Sequence, residues 1–185
     1  SNRSASATLG YDWASDQALT AQFLRSRLNN QFDGGPGYDD RTITVDETWQ
    51  VASRNRLASF WVSRLSYGEG IDDSRTETAF GPSTFDTTQR QLGWQNDFTL
   101  PTGVLTAGYE RRDERLATDA ALAVTSRTTD SLFGIYRLAV DAHALQANLR
   151  YDESSQYGSQ TTGSLTYGYR FSPAWRVTAG YSTGF

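Results

Sequence analysis

The chain has 185 residues, a formal net charge of -4 and no cysteine. Its arginines are spread along the sequence, so the charge pattern excludes the basic footprint of a nucleic-acid-binding protein. The lack of cysteine excludes a disulfide framework and a thiolate metal site. No apolar run is long enough for a transmembrane helix, so insertion into a membrane would require a β-barrel.

Alternation of apolar and polar residues runs through the chain and predicts extended strands with one apolar face each. About ten such strands of roughly ten residues follow one another, the length that a tilted strand needs to cross a bilayer. The face of residues 57–67 is ambiguous, because Phe60 and Val62 compete with Trp61 and Leu65. The predicted strands cover, in chain order, residues 5–13, 19–23, 43–51, 57–67, 92–100, 105–109, 128–139, 145–151, 165–171 and 175–181.

The predicted connections alternate between tight and long. Outer-membrane barrels have short periplasmic turns and longer extracellular loops, so this alternation predicts an all-β, antiparallel up-and-down transmembrane β-barrel. Tight turns are predicted at residues 15–17, 53–55, 101–103, 140–142 and 172–174. Long polar loops are predicted at residues 29–40, 68–83, 113–125 and 152–159.

Aromatic residues are predicted to form two belts at the membrane interfaces, where amphipathic rings are enriched. Any one of them alone is equally compatible with the core of a soluble β-domain. Those expected near the tight turns are Trp13, Trp49, Trp94, Phe98, Phe171 and Trp175. Those expected further up the strands are Tyr109, Tyr151 and Tyr181.

The sequence offers few residues for a catalytic site but several oxygen ligands for calcium. His143 is the only histidine and falls at a tight turn, so no Ser/His/Asp site can form at the outer rim and we predict that the protein is not an enzyme. Acidic segments lie at residues 32–40, which also contain three glycines, and at residues 71–73. Carboxylates and carbonyls are the oxygen ligands that calcium prefers, although a solvated acidic loop has the same composition.

Residues 149–185, LRYDESSQYGSQTTGSLTYGYRFSPAWRVTAGYSTGF, resemble the middle of the barrel in TonB-dependent outer-membrane receptors, the cobalamin receptors above all. The resemblance extends over residues 1–185 and implies one partial barrel domain, an internal part of a barrel of about 22 strands. The plug domain and the remaining strands would lie outside it. It also implies location in the outer membrane of a Gram-negative cell.

The resemblance implies site residues as well. Phe32 and Asp33 match an aromatic-Asp pair that binds calcium in cobalamin receptors, and Asp39 or Asp40 resembles a later calcium ligand. Gly34 falls where the family has a cobalamin contact. Thr84, within the Ser83–Asp86 segment, matches a threonine that touches the ligand.

The implied function is active uptake of cobalamin, energised by TonB through the plug, with calcium ordering the outer loops. A siderophore-iron receptor of the same family is an alternative. A self-contained ten-stranded outer-membrane barrel and a soluble all-β adhesin are further alternatives. The expected partners are cobalamin or another large metal chelate, TonB and outer-membrane lipid.

Overall fold

A computed structural model describes residues 2–35 and 39–184 as one antiparallel meander of ten strands. The part Pro36–Tyr38 of the acidic segment 32–40 lies outside the described residues. The strands are β1 (Arg3–Ala14), β2 (Gln17–Phe32), β3 (Asp40–Ala58), β4 (Trp61–Thr78), β5 (Gly81–Leu100), β6 (Gly103–Thr118), β7 (Ser126–Val140), β8 (His143–Ser154), β9 (Gly158–Ser172) and β10 (Trp175–Ser182).

Each strand pairs with its neighbours in sequence, and the all-β prediction is confirmed. Within the described residues β1 and β10 do not pair with each other, so the ten strands form an open sheet with two edges. The alternative of a self-contained, closed ten-stranded barrel is therefore wrong. Over the same residues, the structure has no helix of the length and hydropathy needed to span a membrane.

Four of the five predicted tight turns are confirmed, and one is wrong. The turn predicted at 53–55 lies inside β3, and the chain reverses instead at Ser59 and Phe60. Arg56, which follows the predicted turn, has its guanidinium at the Asp16 carboxylate of the next turn along the sheet. This ion pair and the backbone pairing of Asn55 with Ser63 keep the segment extended.

The long outer loops are shorter than predicted. The β4–β5 connection is only Ala79 and Phe80, and the β8–β9 connection is residues 155–157. Two longer connections remain, residues 33–39 and 119–125. The strands continue past the apolar belt, by which we mean the band of apolar side chains on the outward face. Beyond this belt both faces of a strand meet water, so apolar and polar residues no longer alternate and the sequence resembles that of a loop.

The sheet has an apolar face and a polar face, and no apolar core lies within the described residues. The side chains that are buried there are all polar: Asp40, Ser63, Asn96, Thr106 and Ser131. Large apolar side chains instead stand exposed on one face, such as Leu9, Leu132 and Leu149 at 74, 58 and 62 %. This arrangement is that of a barrel wall whose apolar face meets lipid.

The upper limit of the apolar belt descends across the sheet. It runs through Phe23 and Trp49 on β2 and β3, and through Tyr67 and Leu92 on β4 and β5. On β6 the residue paired with Leu92 is Arg111, which is charged. The uppermost residue of the belt on β6 is therefore Tyr109, two positions closer to the tight turns. A belt that crosses the hydrogen-bonded rows obliquely is what strands tilted against the membrane normal produce.

The two predicted aromatic belts need correction at Trp49 and Trp94. Because the β3–β4 turn is at Ser59 and Phe60, Trp49 lies at the upper limit of the belt, with its ring centroid 5.6 Å from that of Tyr67. Trp94 lies directly opposite Tyr109. Both tryptophans therefore belong with the upper aromatics rather than with the tight turns.

The two faces of β8 allow a direct test of orientation. Leu149→Arg puts a charge against lipid and should destabilise the inserted protein by about 2–4 kcal/mol if it lies near the bilayer midplane. Gln146→Arg, on the polar face of the same strand, should have little effect. The measurement is urea unfolding of the full-length protein in phosphatidylcholine vesicles. Equal losses for the two variants would contradict the assignment of faces.

Candidate functional site

The polar face carries a network of ion pairs on β6–β8. Arg150 Nη2 donates to Glu110 Oε2 at 2.9 Å, and Arg150 Nε donates to Asp152 Oδ1 at 2.9 Å. Ser131, which is buried, donates to the same Asp152 oxygen at 2.5 Å. Two carboxylates around one guanidinium leave the site slightly acidic and hold three neighbouring strands in register.

A groove of about 400 Å³ lies over this network, between β6 and β9. Its outer end is closed by the pair of Arg127 and Glu114, whose Nη2 and Oε2 atoms are 2.6 Å apart. Arg112 lines the groove and, among the described residues, has no carboxylate within salt-bridge distance. The groove therefore combines satisfied ion pairs with one free positive charge.

A second groove, of about 590 Å³, crosses β3–β5 on the same polar face. Gly68 lines its floor where the neighbouring backbone leaves no room for a side chain, since a Cβ would lie 2.7 Å from the Trp49 carbonyl oxygen. Asp46 and Asp72 are directly opposite each other at its outer end. Burial, followed by the charge of Asp46, raises the pKa of Asp72 above its ordinary value.

The outward face at the same height has a matching acidic pair. Asp73 and Asp86 are opposite each other on β4 and β5, and no described residue donates a hydrogen bond to the buried Oδ1 of Asp86. Burial, followed by the charge of Asp73, raises the pKa of Asp86. Like charges directly opposite on adjacent strands destabilise the pairing.

The predicted calcium ligands lie at the two ends of the β2–β3 connection. Asp33 Oδ1 accepts a hydrogen bond from the Gly35 amide at 3.1 Å, and Asp39 Oδ2 accepts one from Gln31 Nε2 at 3.4 Å. Asp40 pairs with Phe32 and is buried against Gly34, where an added Cβ would overlap its carboxylate. Over the described residues no three acidic or histidine side chains converge to hold a metal ion.

Thr84 and His143 are far from this connection. Thr84 lies on β5 opposite Arg75, and its carbonyl oxygen accepts a hydrogen bond from Thr118 Oγ1 at 2.7 Å. It shares a face with Trp94, so it is not directed at the polar grooves. His143 begins β8 beside the turn at Asp141, and its Nδ1 is 2.6 Å from the Tyr167 hydroxyl.

Comparison with known proteins identifies this architecture. The sequence profile of the family described as "TonB dependent receptor-like, beta-barrel" matches residues 1–185. The chain belongs to this family. It is thus part of a receptor of the Gram-negative outer membrane and is not an enzyme, as the sequence predicted.

The relatives of this receptor segment are named either for vitamin B12 or for siderophores and iron. Vitamin B12 transporters (BtuB) of Vibrio cholerae are 26 % identical to it over 199 aligned residues, covering 99 % of this chain and 31 % of their own length. Among solved structures, the siderophore receptor PirA from Pseudomonas aeruginosa superposes with a TM-score of 0.82 at 21 % identity. The FrpB iron transporter from Neisseria meningitidis gives 0.80 at 13 % identity.

Coverage shows how much of a receptor the chain represents. It spans about a third of the curated relatives' length. The alignments include 98 % of this chain and 32 % of PirA, or 35 % of FrpB. The ten strands are therefore a segment of the barrel wall found in these proteins.

The ion-pair network on β6–β8 is the part of the site that sequence reasoning missed. Glu110, Arg112 and Glu114 alternate along β6, and Arg150 and Asp152 alternate along β8. Charged residues at every second position of a strand lie on the same face, which here is the lumen face. This spacing could have identified the charged surface from the sequence. Their partners lie on other strands, so the pairing itself requires the register.

The acidic pair on β4 and β5 predicts a pH response outside the membrane. A raised native pKa means that the folded state binds a proton more tightly than the unfolded chain, so local stability is greatest at acidic pH and falls as pH rises through the raised pKa. Amide hydrogen exchange around Asp86 should therefore be roughly two- to fivefold faster at neutral pH than at acidic pH, after correction for the pH dependence of intrinsic exchange.

Asp86→Asn should remove most of this pH dependence, because one member of the pair no longer ionises. Asp119→Asn, in the connection 119–125, is the matched control and should leave it unchanged. A pH dependence that survives in Asp86→Asn would assign the effect to other groups.

Proposed function

We propose that this chain forms part of the barrel wall and outer rim of a receptor that takes up cobalamin across the outer membrane. The observation that carries the proposal is the match to vitamin B12 transporters over 99 % of the chain. In the whole receptor, TonB would drive transport through a plug domain inside the barrel.

The residues of this chain contribute a polar, hydrogen-bonding passage. Ion pairs such as Arg150 with Glu110, and Arg64 with Asp97, keep charge on the lumen side while the opposite side of the same strands meets lipid. Glutamines 89 and 91 line the β3–β5 groove between these charges. Amide groups can donate to and accept from the amide-rich periphery of cobalamin.

A ferric siderophore is the second candidate. Arg112 is the observation that favours it, since this guanidinium faces a groove without a carboxylate partner in the described part of the chain. Many ferric chelates are anionic, and an unpaired arginine on the lumen side would attract them.

Calcium at the β2–β3 connection is a further part of the proposal. Asp33 and Asp39 are exposed at the two ends of that connection and are the carboxylates best placed to share an ion. Asp40 is buried against Gly34 and does not join them as the loop stands. Calcium is therefore tested separately from cobalamin.

The test is cyanocobalamin binding to the whole receptor in detergent, with and without calcium. Asp33→Ala should abolish any calcium enhancement and leave calcium-free binding intact. Asp119→Ala, the control, should leave both the calcium enhancement and the calcium-free binding unchanged. Thr84 lies on the outward face, so Thr84→Ala should weaken binding, by about two- to tenfold, only if the ligand reaches that face at the outer rim and accepts a hydrogen bond from its hydroxyl. Thr88→Ala, on the same face of β5, is its control.

Three outcomes separate the alternatives. Binding of cyanocobalamin that calcium does not affect would keep the cobalamin proposal and remove the metal. Binding of a ferric siderophore without cyanocobalamin binding, weakened by Arg112→Gln, would establish the second candidate. Equal effects of Thr84→Ala and Thr88→Ala would remove Thr84 as a ligand contact.

A further inference from the structure

Three arginines gather on the outward face of β1 and β2 at their outer ends. Arg3 and Arg27 are directly opposite each other in the register, and Arg25 is the next outward residue toward the membrane. We call Arg3, Arg25 and Arg27 the outer arginine patch. Adjacent like charges on paired strands repel one another, so this arrangement requires compensation.

The protein supplies little of that compensation. Arg25 Nη1 is 3.6 Å from Glu47 Oε2, and the Arg25 side chain remains 60 % exposed. Neither Arg3 nor Arg27 has an acidic side chain within 4.0 Å among the described residues. Within the patch, three positive charges thus face one carboxylate.

Most other outward arginines above the apolar belt are paired with carboxylates. Arg41 Nη2 lies 2.5 Å from Glu77, Arg90 is bonded to Glu69, and Arg111 lies 3.2 Å from Asp113. Each of these carboxylates sits on the same strand or the next one, on the outward face. Among the described residues, Arg115 on β6 is the one outward arginine of β3–β6 without a carboxylate within salt-bridge distance. Arg3 and Arg27 differ from it because they lie directly opposite each other, with no acidic partner for either.

The position of the patch points to its ligand. Phe23 is the uppermost apolar residue of the outward face of β2, and Arg25 follows it two residues later, which is about 7 Å along a strand. The patch therefore lies where the headgroups of the outer leaflet meet the wall. Lipid chains below it would pack along exposed side chains such as Leu9 and Tyr11.

We propose that the outer arginine patch binds the phosphate of a phosphorylated lipid in the outer leaflet. Guanidinium groups form paired, charge-assisted hydrogen bonds with phosphate oxygens. A phosphate between Arg3 and Arg27 converts their repulsion into two attractions. The acyl chains of the same lipid cover the apolar side chains below, so the two halves of one molecule match two adjoining surfaces.

The test is binding of lipid A, a phosphorylated glycolipid, to the whole receptor in zwitterionic detergent, measured by native mass spectrometry. Arg3→Gln/Arg27→Gln should weaken lipid A binding about tenfold or more. Arg75→Gln/Arg90→Gln removes the same formal charge from arginines that already have acidic partners. This control should change binding by roughly twofold or less.

Two further measurements test whether the arginines recognise the phosphate of the lipid. Lipid A stripped of its phosphates should bind wild type and Arg3→Gln/Arg27→Gln equally, and Arg27→Lys should keep part of the affinity because it keeps the charge. Equal losses in the patch variant and the control would show a response to net charge only. That result, or competition by inorganic phosphate as strong as that by lipid A, would overturn the proposal.

Discussion

The hydrogen-bonded ladder between successive strands is the interaction on which everything else in this structure depends. Within the described residues no apolar side chain is buried, and every backbone pairing between strands joins two that are consecutive in sequence. A bilayer offers the backbone no hydrogen bonds, so the strands must satisfy one another. Register therefore replaces core packing as the determinant of which side chains meet.

Sequence reasoning predicted the fold best where the strands cross lipid, because only there does the environment differ between the two faces. Beyond the belt it failed in a regular way. Residues 68–78 of β4 contain Gly, Asp and Ser, a composition that predicts a loop, although the strand continues through them. At Ser53–Asn55 polar residues suggested a turn, whereas the reversal at Ser59 and Phe60 contains neither glycine nor proline.

The candidate site was less predictable than the fold because its groups meet across strands. Arg150 and Glu110 are 40 residues apart in sequence and lie in one ion pair on the lumen side. Single-strand alternation reveals that both face the lumen but not that they touch. Conversely, Asp39 and Asp40 are adjacent in sequence, but Asp39 is exposed in the connection and Asp40 is buried against Gly34. Proximity in sequence is thus a poor guide to a shared site in a sheet.

Register also concentrates instability at the outer rim. Asp72 and Asp73 are consecutive on β4, so each faces an acidic partner on an opposite side of the sheet, Asp46 and Asp86 respectively. The same hairpin ends at Phe80, which is fully exposed. Repulsion on both faces favours local opening of the outer half of β4 and β5. This destabilised part of the ladder lies at the end of the strands farthest from the tight turns, where the residues have left the apolar belt and register alone sets which charges meet.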